Sequence, residues 1–134
     1  MSLFDLFRKK DEKKSPVPYA LVTRMTPYRL YAHKSNSVVM NVSIRNLSGE
    51  QLLTSFTVDL PDMISMDKME MVKTKEFKLG EMAPNETKEV NVELYGGLNT
   101  DKGEYKMRLT AMSHFMDYNH VVNSMKSTTT VVVV

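Results

Sequence analysis

From Tyr19 onward, apolar and polar residues alternate with a period of two, as in strands that bury one face. Tyr19 to Met25 and Arg29 to Ala32 read as a first strand interrupted at Thr26-Pro27, because proline cannot donate to a ladder. His33 to Asn36 is a turn. Ser37 to Asn46 is the clearest strand, with Val38, Met40, Val42 and Ile44 on one face. Asn46-Leu47-Ser48-Gly49-Glu50 closes it with turn residues. In the next strand Leu52, Thr54, Phe56, Val58 and Leu60 share a face, and Pro61-Asp62 ends it. Met63 to Lys75 fits either a short strand or an irregular crossover.

Phe77 and Leu79 are core candidates in a strand that ends near Gly80, before a turn at Pro84-Asn85-Glu86. Lys88 to Leu94 turns Val90, Val92 and Leu94 inward. Glu104 to Met112 does the same with Tyr105, Met107, Leu109 and Ala111. A turn at Asp117-Tyr118-Asn119 leads to Val121 to Val134, whose β-branched run from Thr128 suits a strand far better than a helix. An exposed edge of this kind is an aggregation hazard, so the strand is expected to be paired, centrally in a sheet or with a second copy. The sum is seven or eight strands in an all-β, immunoglobulin-like sandwich of two antiparallel sheets over residues 19–134.

Residues 1–18 read differently. Leu3, Leu6 and Phe7 follow helical spacing with Phe4 beside them, then come Arg8, Lys9, Lys10, Lys13 and Lys14, and prolines at 16 and 18. Under two turns of apolar helix cannot stand alone, so this helical or disordered extension is expected to order only against a partner, a membrane or its own domain. Five basic and three acidic residues lie in 1–14, and 13 of each lie beyond, so any electrostatic bias sits on the extension. The body has no field to steer nucleic acid. No apolar run approaches a membrane span, and the basic residues follow the apolar ones, the reverse of a secretory signal. The expected location is cytoplasmic, with a weak contact of the extension to an anionic inner membrane face.

The order of strands resembles immunoglobulin-like sandwiches of archaeal and bacterial CARDB and NEW3-type domains. The matching segments are Val42-Ser43-Ile44-Arg45-Asn46, Phe77 to Glu86 with Gly80 and Pro84, and Gly103-Glu104-Tyr105. Such domains are usually exported or attached to larger proteins, unlike the reading of this chain. The resemblance implies an accessory binding or spacer module without catalytic residues, with Tyr105 a structural residue opening a late strand.

Candidate chemistry is sparse. The chain has no cysteine, no Gly-rich phosphate loop and no His-Glu-x-x-His, so no catalytic residue, cofactor or metal is expected. His114, Met116 and His120 could offer copper an N,N,S set, with His33 at the far end of the sandwich, but exposed turn histidines are the plainer reading. Met63, Met66, Met69 and Met71 lie within nine residues and form the candidate partner surface, since methionine contacts adapt readily. Tyr28, Tyr31, Tyr95 and Tyr118 could stack on sugars, though tyrosines more often straddle core and solvent. The expected function is non-catalytic protein–protein interaction or scaffolding, docked through Leu3, Phe4, Leu6, Phe7, Arg8, Lys9 and Lys10. The alternative is an accessory module for carbohydrate or copper.

Overall fold

The computed structural model describes residues 18–134. The expectations for Leu3 to Lys14 lie outside them. Eight strands form: β1 (Tyr19–Thr26), β2 (Arg29–Leu30), β3 (Asn36–Asn46), β4 (Leu52–Asp59), β5 (Thr74–Met82), β6 (Thr87–Gly96), β7 (Gly103–His114) and β8 (Val121–Val133). The order β1-β3-β6 makes one sheet and β2-β8-β7-β4-β5 the other. Chain neighbours β3 and β4 lie in opposite sheets, as do β5 and β6, which gives an immunoglobulin-like sandwich.

The first strand is in fact two. β1 pairs antiparallel with β3, whereas β2 pairs parallel with β8 in the other sheet. Pro27, in a cis Thr26–Pro27 peptide, stands where the chain changes sheets. β5 also departs from the expected end at Gly80. It continues to Met82 through a bulge: Thr54 and Ser55 of β4 face Gly80 and Lys78, which leaves Leu79 as the extra residue, and Gly80 takes a φ of 76°. A left-handed φ suits glycine, so the strand passes through this residue instead of stopping.

The alternation in sequence becomes the core. Met40, Val42, Ile44 and Leu94 from one sheet meet Phe56, Val58, Met107 and Leu109 from the other, all buried. Tyr105 Oη donates to the Asp101 carbonyl at 2.7 Å, tying the start of β7 to the preceding corner, a tyrosine corner in the expected structural role.

Tyr19 crosses between the sheets. Its hydroxyl lies 2.7 Å from Thr54 Oγ1, and the residue is buried. Burial pushes its phenol above the ordinary 10.0, partly offset by hydrogen bonds with Thr54 and Ser113. A phenol raised in the folded state contributes stability that is full below pH 10.0 and is lost as pH rises through the folded value. An ultraviolet tyrosine titration should therefore show late phenols at Tyr19 and at Tyr95, which Glu93 holds up. Tyr19→Phe should remove one and keep the other; an unchanged titration would contradict the buried assignment.

Candidate functional site

The two ends of the sandwich differ in chemistry. At one end lie the β2–β3, β4–β5 and β6–β7 loops, and the β4–β5 loop (60–73) carries the four methionines. Ile64 is fully buried and plugs the core from this loop. Ser65 exchanges two backbone hydrogen bonds with Tyr95 of β6, at 3.1 and 2.7 Å. Asp67 Oδ1 accepts the backbone N–H groups of Met71 and Val72, both at 2.9 Å. Lys73 Nζ donates to the Asp62 and Ile64 carbonyls. The segment is an irregular crossover, held by side-chain bonds because it has no full ladder of its own.

This scaffold presents Met69 and Met71 to solvent, each 75% exposed, with Met63 and Val72 also exposed. Met66 differs from these: it is half-buried and packs on the core, so it also anchors the loop, and its remaining surface lines a shallow cleft with Phe77 and Val92. The β6–β7 loop abuts this one. Thr100 Oγ1 donates to the Met63 carbonyl at 2.9 Å, and a Cβ on Gly97 would collide with the Glu70 carboxylate. Leu98, on that second loop, is exposed as well. His33 joins from the β2–β3 loop, with Nδ1 at 3.0 Å from the Leu98 carbonyl and Nε2 at 3.3 Å from Asp101.

The opposite end gathers Pro18 and the β3–β4, β5–β6 and β7–β8 loops. A cleft of about 270 Å³ opens beside Pro18, lined by Leu47, Leu52, Val122 and several polar residues. That is at the small limit of ligand pockets. The β7–β8 loop folds back over the outer face of β4 and β5, where Tyr118 Oη accepts the Gly80 N–H at 3.0 Å. Beneath it Ser55 Oγ and His114 Nε2 sit 2.7 Å apart, with the Tyr118 ring edge-on to His114.

The reading of His114 as an exposed turn residue is corrected: it ends β7 and is buried. His120 does lie in the exposed turn, bonded through Nδ1 to Asp117 at 2.8 Å, and this contact lowers the Asp117 pKa. Met116 points to solvent, so the three do not share one site. Among the described residues no three His, Asp, Glu or Cys side chains converge on a metal position.

The Ser55–His114 pair was invisible in the sequence, since only the β4–β7 register brings residues 55 and 114 together. A serine nucleophile needs an open approach and a base oriented by a third group. Ser55 is fully buried, and His114 Nδ1 has no hydrogen-bond partner among the described residues. The geometry suits a pair that fastens the loop to the sheet. Tyr28 and Tyr31 are exposed near β2, at the end away from Tyr118, so the tyrosines do not form one platform. No protein-family model matches the chain, and no curated protein matches it.

Proposed function

We propose that the chain is a non-catalytic protein-interaction module that holds a partner at the methionine-bearing end while its extension docks at the other. The observation that carries this reading is the β4–β5 loop. It is braced by Ile64, Ser65 and Asp67, yet keeps Met69 and Met71 in water. A braced loop loses little entropy on binding, and thioether side chains adapt to a partner's contours. The extension enters at Pro18, beside the end of β3, and the loop lies at the far end of the sandwich. An 11-residue β3 separates them by about 35 Å at roughly 3.3 Å per residue. Such spacing fits a tether that displays a binding surface away from its anchor. The exposed face of this end, not a polar pocket, also favours a protein partner over carbohydrate or copper.

The test uses two changes. Met69→Ser with Met71→Ser should abolish capture of a protein that the wild-type chain retains from its native lysate. Deletion of residues 1–14 should leave that capture intact but abolish salt-sensitive sedimentation with anionic vesicles. Capture indifferent to Met69 and Met71 would reject the loop as the binding surface, and sedimentation without residues 1–14 would reject the extension as the membrane contact.

A further inference from the structure

We propose that the free edge of β8 pairs antiparallel with the same edge of a second copy of this chain. β7 covers one side of β8 from Val121 to Val133, with Val122 bulged out of the ladder. On the other side β2 pairs only with Val132 and Val133, and hydrogen bonds between Val134 and both Leu30 and Ala32 close that end. From Val121 to Val131 the outer row of backbone N–H and C=O groups pairs with no strand among the described residues, and β1 touches it at one point, where the Thr23 and Thr129 hydroxyls lie 3.3 Å apart. A row of this kind recruits another strand unless it is blunted.

The other sheet edges are blunted. β5 carries Lys75, Glu76, Lys78 and Glu81, and it is bulged at Gly80. β6 carries Lys88, Glu89 and Glu93 and meets Ser65 at Tyr95. β1 is short and ends at Pro27. β8 has 13 residues, no proline or glycine and a single charge at Lys126, and its one bulge, at Val122, lies at its start and leaves Asn123 to Val131 regular. Its two exposed valines at the start, Val121 and Val122, are uncovered by the described residues of one copy.

Of the registers centred on residues 125, 126 and 127, one is free of conflict. Two-fold pairing in a continuous sheet sets residues of like parity opposite each other. Centring on Lys126 would place two ammonium groups face to face, which destabilises a cross-strand pair. Centring on Ser127 drives Val121 against Val133, already taken by β2. Centring on Met125 avoids both. It sets Asn123 against Ser127 and Ser124 against Lys126, brings the exposed valines at the bulged start of one strand beside Thr128 and Thr129 of the other, and joins the two five-stranded sheets into one.

Sedimentation velocity on the full chain, from micromolar to millimolar concentration, tests this. The wild type should dimerise. Ser124 is exposed, so charge there should leave the fold intact by circular dichroism. Ser124→Lys should weaken the dimer about tenfold and Ser124→Glu should tighten it by a similar factor, through two symmetric contacts with Lys126. A monomer at every concentration would overturn the proposal. So would a dimer indifferent to both substitutions. Slow hydrogen exchange along Val121 to Val131 in a monomer would also overturn it, by showing the edge covered by the chain's own first residues.

Discussion

Asn46→Ala is expected to cost about 2–4 kcal/mol, a large share of the roughly 5–15 kcal/mol that holds a small domain together. Asn46 is fully buried at the end of β3. Its Nδ2 donates to the carbonyls of Glu50 at 2.8 Å, Met82 at 3.0 Å and Ala83 at 3.3 Å, and its Oδ1 accepts the Ser48 N–H at 2.8 Å. Its backbone adds bonds from its own N–H to Glu86 and from the Asn85 N–H to its carbonyl. One side chain thus fastens the β3–β4 turn to the β5–β6 turn, across the two sheets. Alanine keeps the backbone bonds but leaves the buried Met82 carbonyl without this donor, while Glu50 and Ala83 can turn to water.

Asn46→Asp separates this account from simple packing. An aspartate is nearly isosteric, yet it sets a carboxylate oxygen against carbonyl oxygens that need a donor. Its loss at neutral pH should equal or exceed that of alanine. It should shrink in acid, where the protonated carboxyl donates again, so stability relative to the wild type rises as pH falls. Urea unfolding of both variants at neutral and acidic pH measures this. A loss below about 1 kcal/mol for Asn46→Ala would mean that the two turns hold without the link.

Asn46 also shows what the sequence makes legible. Its position after alternating Val42 and Ile44 marks a strand end, and that was readable. Its role as a clasp was not, because Glu50 is local but Met82 is 36 residues away. Alternation located all the long strands, since burial on one face enforces a period of two wherever the sheet is amphipathic. It could not assign β1 and β2 to different sheets, because pairing partners carry no signal within a strand. The same limit hid Ser55 and His114, which only register unites. In the β4–β5 loop the methionine cluster was plain, but periodicity fails where side chains brace the backbone. Met66 inside and Met69 outside look alike in composition.

Ile64→Ala is expected to cost about 2–5 kcal/mol and to disorganise the surface that Met69 and Met71 present. Ile64 is the only residue of the 60–73 loop in the fully buried apolar core, so its side chain holds the loop to the sandwich. Truncation leaves a cavity whose walls cannot fully close, and the loop's remaining anchors include the Ser65–Tyr95 bridge, the Thr100–Met63 hydrogen bond and half-buried Leu60 and Met66. The paired Met69→Ser and Met71→Ser change should behave oppositely. At 75% exposure each methionine contributes little to folding, so stability should shift by under about 0.5 kcal/mol per site. Methyl spectra of labelled methionine would read both effects: Ile64→Ala should move the Met69 and Met71 signals, which the serine changes simply delete. If Ile64→Ala lowers stability yet leaves those two signals in place, the loop is braced by its hydrogen bonds alone. Partner capture should then survive it. If the signals move and capture falls while the fold persists, the binding surface depends on a core residue that never touches the partner.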